Sequence, residues 1–269
     1  MKRIFPVLLL AALASPSYAG IMYTVDNNTS TLMKIDTSTL AITSVGSLGV
    51  TFQYGDLAWN SANQTLYMID GRGSQSLYTV NTTTGAATLV GAHGLTDLFA
   101  LAFDSSTNKM YAEQFTSPAI LEQMNLTTGA ATSIGSGIAG TRIGAMAYDS
   151  KTDQLIGLED CLGCAKLWLI NRTTGAGTLL KGTGLDTNNS GMTYDPALDR
   201  LWDVDVNGRL SYFDPSNGFA QTSVKTFDVS LDGLAYVTGT QAVPEPATFV
   251  FVGCGILGLL TARRARRRA

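Results

Sequence analysis

Five polar residues recur at near-equivalent positions in the chain, each at the end of a strand-like run. They are Asp26, Asp70, Gln114, Glu159 and Asp205. Oxygen ligands of this kind suit a hard cation such as Ca²⁺, and planar polar groups suit a hydroxyl-rich ligand such as a sugar. In the alternative interpretation, each side chain accepts hydrogen bonds from backbone N–H groups at the start of its own loop. The pattern leaves both interpretations open.

Four more residues lie at predicted loop tips on the same side of the fold: Tyr54, Asp97, Arg142 and Asn189. Together these nine residues are the predicted ligand face. An exposed aromatic ring there, at Tyr54, Phe99 or Trp202, would favour a specific binding protein. Carboxylates that point into a central channel would instead favour a metal-dependent enzyme. The sequence assigns no metal and no cofactor, and Ca²⁺ stays an alternative.

The remaining reactive side chains are few. His93 is the one histidine, and it lies in a glycine-flanked loop with no nucleophile motif beside it, so we expect it to be exposed to solvent. Cys161 and Cys164 are close in a predicted loop. Their spacing favours a disulfide in an oxidising compartment; the alternative is a redox-active pair, although the helix of a thioredoxin-type motif is missing from the pattern.

One short phrase returns five times, at steps of 45, 44, 46 and 43 residues. Its copies begin at Leu32, Leu77, Leu121, Leu167 and Leu210. Each repeat divides into four runs rich in β-branched and aromatic residues, joined by turns that use Asn, Asp, Thr and Gly. A period in the mid-forties with all-strand content is typical of propeller blades. The sequence therefore predicts an all-β propeller of four-stranded antiparallel blades.

The phase of the repeats predicts how the ring closes. Residues 21–26 match a second strand, and residues 232–237 match a first strand. These two fragments complete one blade, so we predict five blades and closure by the C-terminal strand, which leaves no strand edge open at the join. An open stack such as a β-helix is the alternative, but it would not need a split blade. In the first repeat the turn after Asp36 lacks the glycine of the other copies, so we expect a different turn there.

Both ends of the chain resemble targeting segments, which sets the predicted domains at 1–19, 20–240 and 241–269. Residues 1–19 have two basic residues, an apolar core and small residues at the cleavage positions, as in a secretory signal peptide. Near the other end, an apolar run from Thr248 to Thr261 precedes a cluster of arginines. The run is shorter than the ~20 residues of a standard spanning helix. The arginines would stay cytoplasmic and leave the repeat domain outside. An ordinary tail anchor is the simplest interpretation.

The tail also resembles a known family. A Val-Pro-Glu-Pro entry, a short apolar helix and a terminal arginine cluster are similar to the PEP-CTERM sorting signal of Gram-negative bacteria, also catalogued as the ice-binding protein C-terminal domain. The resemblance covers 243–268 and implies sorting by an exosortase, with Pro244, Glu245 and Pro246 recognised and with a stop formed by Arg263, Arg264, Arg266, Arg267 and Arg268. It implies transient anchoring in the inner membrane, then release or attachment at the surface, in systems that accompany exopolysaccharide and biofilm matrix. The ice-binding name says nothing about what the repeat domain binds.

The net charge of the repeat domain limits the classes of partner that it could bind. Without Lys2, Arg3, the terminal arginines and Glu245, 11 basic and 20 acidic residues remain, a net charge of −9. Such a surface argues against nucleic acid as a partner. We predict an exported surface or matrix protein, not an enzyme, that binds polysaccharide or protein through one propeller face. A metal-dependent lyase or hydrolase and a purely structural matrix component are the alternatives.

Overall fold

The computed structural model describes residues 20–184, 187 and 191–237. The predicted signal peptide, the predicted sorting signal with its helix and arginines, and Asn189 lie outside the described residues and stay predictions. Across the described ranges, no helix is both long enough and apolar enough to cross a membrane.

The described residues form five four-stranded antiparallel sheets, the blades, which confirms the predicted five-bladed β-propeller. Blade 1 contains β20 (Leu231–Val237), β1 (Ile21–Asp26), β2 (Thr31–Asp36) and β3 (Ile42–Ser47). Blade 2 contains β4 (Gly55–Asn60), β5 (Thr65–Asp70), β6 (Ser76–Val80) and β7 (Ala87–Ala92). Blade 3 contains β8 (Leu98–Asp104), β9 (Lys109–Gln114), β10 (Ala119–Met124) and β11 (Ala131–Ile138).

Blade 4 contains β12 (Ile143–Asp149), β13 (Gln154–Glu159), β14 (Lys166–Ile170) and β15 (Gly177–Gly182). Blade 5 contains β16 (Gly191–Asp195), β17 (Arg200–Val204), β18 (Arg209–Asp214) and β19 (Ala220–Thr226), with a short 3₁₀ turn at Pro215–Asn217. In every blade the strands are named from the inside outwards, and the inner strands β4, β8, β12, β16 and β20 contact one another around the axis.

Burial explains the sequence of each strand. The inner strand β8 is buried at all seven positions, so it is a nearly continuous apolar run. The outer strand β7 has only half-buried and exposed positions, and it carries Thr and Ala. The core lies between successive blades: Tyr23 and Val25 of blade 1, for example, belong to one apolar cluster with Leu66 and Met68 of blade 2.

The C-terminal strand closes the ring as predicted. Ile21 pairs with Val237, Met22 with Tyr236, and Tyr23 with Ala235 in an antiparallel register. Both ends of the described chain therefore share one sheet, so blade 1 is complete only when its inner strand arrives from the far end of the sequence.

The expectation of a different first turn was wrong. Leu40 adopts the left-handed φ of 55° at the place where other repeats use glycine, such as Gly85 with φ 83°. Its N–H donates to the Asp36 carbonyl at 2.8 Å, as the Gly85 N–H donates to the Asn81 carbonyl at 2.8 Å. The turn is retained because Asp36 still caps it: the Asp36 carboxylate accepts from the N–H groups of Ser38 and Thr39.

Strand direction divides the connections between two ends of the ring. The loop face carries the loops after the second and fourth strands of each blade, including Asp26, Asp70 and Tyr54. The turn face carries the hairpins and turns after the first and third strands, including Asn60 and Asn81. The predicted ligand face corresponds to the loop face.

Candidate functional site

Three acids of the predicted ligand face accept hydrogen bonds from backbone N–H groups of their own or a neighbouring loop. Asp26 accepts from the Asn28 N–H at 3.0 Å, and Asp205 accepts from the Asn207 N–H at 3.0 Å. Asp70 accepts from the N–H groups of Gln53 and Gly73 at 3.0 Å. All three acids are nearly or fully buried. Their oxygens therefore organise the loops, as turn-capping acids do.

The other two strand-end residues point to separate partners. Glu159 accepts from Lys166 Nζ at 3.0 Å and faces Trp168 Nε1 at 3.4 Å. Gln114 Nε2 donates to the Thr96 carbonyl at 3.4 Å. Within the described residues, no group of three or more His, Cys, Asp or Glu side chains could hold a metal ion.

A second group of loop-face residues does come together, and we call it the Arg–aromatic cluster. It contains Tyr54, Arg72, Asp97, Phe99, Phe115 and Arg142. It joins loops of blades 2, 3 and 4 and includes three members of the predicted ligand face: Tyr54, Asp97 and Arg142.

Arg72 is the centre of this cluster. Its guanidinium carbon lies 5.0 Å from the centroid of the Tyr54 ring and 4.8 Å from that of Phe99, while its Nε donates to Asp97 Oδ1 at 2.6 Å. The Arg72 side chain is nevertheless 44% exposed. An arginine held between two rings and a carboxylate presents its remaining donors to solvent in a fixed direction.

Phe115 extends the cluster towards blade 4. Its ring stacks on Phe99 with centroids 4.5 Å apart, and the guanidinium carbon of Arg142 lies 5.7 Å from the Phe115 centroid. Phe99 is only 2% exposed, so it supports the cluster from below, whereas Phe115 is half-buried and Arg142 is exposed. The exposed part of the cluster is therefore two guanidinium groups beside the half-buried rings of Tyr54 and Phe115.

Backbone hydrogen bonds hold these loops in place. The Gly71 N–H donates to the Tyr54 carbonyl at 2.7 Å, the Asp97 N–H to the Gly71 carbonyl at 3.0 Å, and the Phe115 N–H to the Asp97 carbonyl at 2.6 Å. Tyr54 and Asp97 both have left-handed backbone, with φ of 51° and 55°. The bonds run from blade to blade, so the cluster sits on a rigid support.

Sequence reasoning missed Arg72 and Phe115. Phe115 directly follows the strand-end residue Gln114, and Arg72 lies two residues after Asp70. Neither residue recurs in the other repeats, so only their closeness to the strand ends could have drawn attention to them. Trp202, considered as an open aromatic, is only 2% exposed, and its Nε1 lies 3.3 Å from Asp195 Oδ2.

On the axis, Asp56 joins three inner strands. Its Oδ1 accepts from the N–H groups of Leu57 at 2.8 Å and Leu234 at 3.0 Å, and its Oδ2 accepts from the Leu101 N–H at 2.9 Å. The residue is fully buried, and burial raises the pKa of Asp56 well above its usual range. The carboxyl group therefore links the inner strands of blades 1, 2 and 3.

His93 is buried, contrary to the expectation of an exposed loop histidine. Only 3% of it is exposed, and its Nε2 lies 3.3 Å from the Asp70 carbonyl while the Leu95 N–H donates to Nδ1 at 3.4 Å. Both contacts are satisfied by the neutral tautomer with its proton on Nε2, assigned from these bonds. Burial lowers the pKa of His93, which agrees with a neutral structural role.

Cys161 and Cys164 form a disulfide with Cα atoms 5.2 Å apart. The bond closes the tip of the loop between β13 and β14 on the loop face. Leu162, inside this tip, is 75% exposed.

A cavity of about 150 Å³ opens on the axis at the turn face, opposite the predicted ligand face. Equivalent inner-strand residues form its floor: Leu57, Leu101, Met146, Met192 and Leu234. Aromatic residues two positions further along the same strands form its wall: Trp59, Phe103, Tyr148, Tyr194 and Tyr236. No described member of the predicted ligand face lines it.

Comparison with known proteins shows the fold alone. A chain of the nidogen/laminin complex is similar over 83% of this chain and 87% of its own length, with 13% sequence identity and a TM-score of 0.50. A protein of unknown function from Bacteroides thetaiotaomicron is similar over 83% of this chain and 63% of its own length, with 16% identity and a TM-score of 0.54. No protein-family model and no curated protein matches the chain.

Proposed function

We propose that this chain is an exported interaction protein that binds another protein through the Arg–aromatic cluster of its loop face. The observation that carries the proposal is Arg72, which is fixed by Tyr54, Phe99 and Asp97 and still 44% exposed. Arginine and aromatic residues dominate the binding energy of protein interfaces, and little side-chain entropy is lost when they are already ordered.

A protein partner is favoured over polysaccharide by the state of the ring faces. Sugar binding uses the open face of an aromatic ring, but here the Arg72 guanidinium lies over the rings of Tyr54 and Phe99. The ring of Phe115 in turn stacks on that of Phe99. Guanidinium donors beside half-buried rings suit carboxylate and carbonyl acceptors of a protein surface.

The carboxyl groups nearest the axis support a role in binding rather than in catalysis. Asp56 uses both oxygens to accept backbone N–H groups, and Asp232 is 1% exposed with Oδ1 bonded to the Gly233 N–H at 3.0 Å. A metal-dependent lyase or hydrolase needs carboxylates that are free to face its substrate.

Export and sorting belong to the same proposal and rest on sequence alone. The signal peptide at 1–19 would send the chain across the inner membrane, and an exosortase would recognise Pro244, Glu245 and Pro246. In a host that carries an exosortase, Glu245→Ala should retain an epitope placed after Arg268, whereas the natural sequence should lose it. Equal loss of the epitope from both chains would rule out recognition at this motif.

The binding proposal is tested with residues 20–240, which contain the whole ring. A photo-crosslinker at position 142 should capture a protein from the matrix fraction of the source bacterium, and Arg72→Ala should reduce the capture at least tenfold. Arg200→Ala is the control, since Arg200 also stacks on an aromatic ring, 4.0 Å from the Tyr212 centroid, but lies outside the cluster. Capture unchanged by Arg72→Ala, or binding to a glycan array in place of protein, would overturn the proposal.

A further inference from the structure

We propose that the axial cavity of the turn face is a second binding site, for a small organic cation that carries a primary ammonium group. The site is separate from the Arg–aromatic cluster, which lies at the other end of the ring. Its volume of about 150 Å³ sets the size of the ligand. An apolar protein cavity of about this volume accommodates a molecule the size of benzene.

The floor of the cavity presents backbone carbonyl groups. In an antiparallel pair, a residue commits both its N–H and its C=O to the ladder, or neither. The N–H groups of Leu57, Leu101 and Leu234 donate to Asp56, so these residues are off the ladder and their carbonyls also turn to the axis. The inner strands run from the loop face to the turn face, so each carbonyl lies on the cavity side of its N–H.

The remaining floor residues share this register. Met146 is opposite Gly157 and Met192 is opposite Asp203, at the same strand position where Leu57 is opposite Met68 and Leu101 is opposite Ala112. All five blades therefore direct a carbonyl oxygen towards the axis at one level. An ammonium group supplies three donors and a positive charge to such a ring of acceptors.

The wall adds electron-rich aromatic rings above the carbonyls. Tyr194, Tyr236 and Phe103 line the cavity with Trp59, and the faces of such rings attract cations. Tyr148 also lines the cavity, but the Arg172 guanidinium already lies 5.5 Å from the centroid of its ring, so Tyr148 contributes mainly apolar surface. Among the described residues that line the cavity there is no Lys, Arg or His to repel a cation, and no carboxylate to form a fixed ion pair. Recognition would therefore depend on the carbonyl dipoles and aromatic rings of the cavity, which attract the ammonium group, and on apolar contacts with the rest of the ligand.

Acidic residues surround the mouth. The rim consists of Ser61, Ser105, Ser150 and Pro196. Asp104, Asp149 and Asp195 come directly before three of these rim residues and cap their turns, although Arg172 pairs with Asp104 and so offsets part of the negative field. A cation is favoured over an anion by this arrangement and by the net charge of −9 outside the terminal segments.

The test uses benzylammonium, with benzyl alcohol as the neutral molecule of matching shape. With ¹³C-labelled methionine methyl groups in residues 20–240, benzylammonium should shift the resonances of Met146 and Met192 and leave that of Met33 unchanged. Benzyl alcohol should bind at least tenfold more weakly. If benzylammonium and benzyl alcohol bind equally well, the cavity does not select for a cation, and the proposal is overturned.

A rim variant shows whether binding occurs in the cavity. Ser150 is exposed at the mouth, so Ser150→Trp should fold and obstruct entry, reducing benzylammonium affinity at least tenfold. Thr83→Trp is the matched control, because Thr83 is exposed on a turn of the same face outside the cavity lining. Arg72→Ala should leave benzylammonium binding unchanged. The proposal for the cavity and the proposal for the Arg–aromatic cluster are therefore tested independently. Wild-type binding by Ser150→Trp, or no methionine shift, would also overturn the proposal.

Discussion

Gly46 and Gly85 bring two successive blades into backbone contact. A Cβ atom at Gly46 would lie 2.1 Å from the Thr84 carbonyl oxygen, and one at Gly85 would lie 2.3 Å from the Gly46 oxygen. The next junction repeats the contact with Gly91 and Gly129. Only residues without a side chain allow the outer strand of one blade to touch the turn of the next this closely.

Gly135 and Gly175 make a similar close contact between blades 3 and 4, but the two junctions that follow blades 4 and 5 are built differently. Lys181 and Lys225 take the strand position of Gly46 in blades 4 and 5, each opposite the equivalent leucine of its neighbouring strand. Lys225 Nζ donates to the Leu40 carbonyl of blade 1 at 2.7 Å. A long side chain therefore replaces direct backbone contact where blade 5 meets blade 1.

We predict that Gly91→Ala destabilises the ring by about 1–3 kcal/mol, the usual cost of overpacking. Its new methyl group would lie 2.0 Å from the Thr128 carbonyl oxygen, so one blade must move. Gly182→Ala is the control, because a Cβ there meets nothing within 4 Å. Denaturant unfolding of both variants measures the difference, and equal midpoints would show that the junction tolerates movement.

Closure by β20 leads to a prediction about chain order. Because Ile21 lies opposite Val237, a two-residue turn could join these ends and make β20 and β1 an ordinary hairpin. A permuted chain that begins at Leu231 and ends at Ser230 should fold, with an unfolding midpoint at least as high as that of residues 20–237. A chain of residues 20–230 should lose its cooperative transition, since blade 1 then lacks its inner strand. A cooperative transition in that truncated chain would contradict the closure argument.

The repeat pattern predicted the fold because the residues that recur form local turns, and these turns set where each strand ends. Asn81 and Asp104 start turns that their own side chains cap, and the spacing of such turns fixes strand length and blade size. The split of blade 1 followed from phase alone. The role of Asp56 could not be predicted in the same way, because the N–H groups that bind its carboxyl group come from residues up to 178 positions away in the sequence.

The candidate site was harder to predict for a related reason. Strand-end acids recur along the sequence, and three of them, Asp26, Asp70 and Asp205, accept hydrogen bonds from loop N–H groups, so their recurrence reflects loop capping. Arg72 and Phe115 have no equivalent in the other repeats, so a search for recurring residues passes over them. The axial cavity depends on which backbone groups leave the strand ladder, and side-chain patterns do not report this.

From the raised pKa of Asp203 we predict that the free energy of unfolding depends on pH. Burial, and next the nearby Asp205, raise the pKa of Asp203 to about 8, so the native state keeps a proton that the unfolded chain releases near pH 4. Because the native state binds more protons between these values, stability falls as pH rises from about 4 to about 8. Buried Asp56 and Glu113 contribute to the same slope, so Asp203→Asn should reduce it and should stabilise the protein at pH 7 by roughly 4 kcal/mol.

Thermal unfolding of Asp203→Asn between pH 4 and pH 8 provides the measurement. Asp228→Asn is the control, since Asp228 is exposed. An Asn variant with the same pH slope as the natural sequence would show that Asp203 is ionised in the folded protein.

Glu113 leads to the last prediction, that an aliphatic residue stabilises its site. The equivalent positions in the other repeats hold Val25, Ile69, Leu158 and Val204. Glu113 is fully buried, neither carboxyl oxygen has a hydrogen-bond partner, and burial raises the pKa of Glu113 well above its usual range. Glu113→Leu should therefore increase the free energy of unfolding at pH 7 by about 1–3 kcal/mol, the cost of a buried polar group without a partner.

Two comparisons make this prediction specific. Leu158→Glu places the same carboxyl group at the equivalent site of blade 4 and should destabilise the ring, since Leu158 is also fully buried. Glu113→Gln removes the charge but keeps unpaired polar atoms, so it should recover less stability than Glu113→Leu. If Glu113→Leu instead lowers the unfolding midpoint at both pH 5 and pH 8, the carboxyl group has a stabilising partner, and the repeat alignment is the wrong guide to this position.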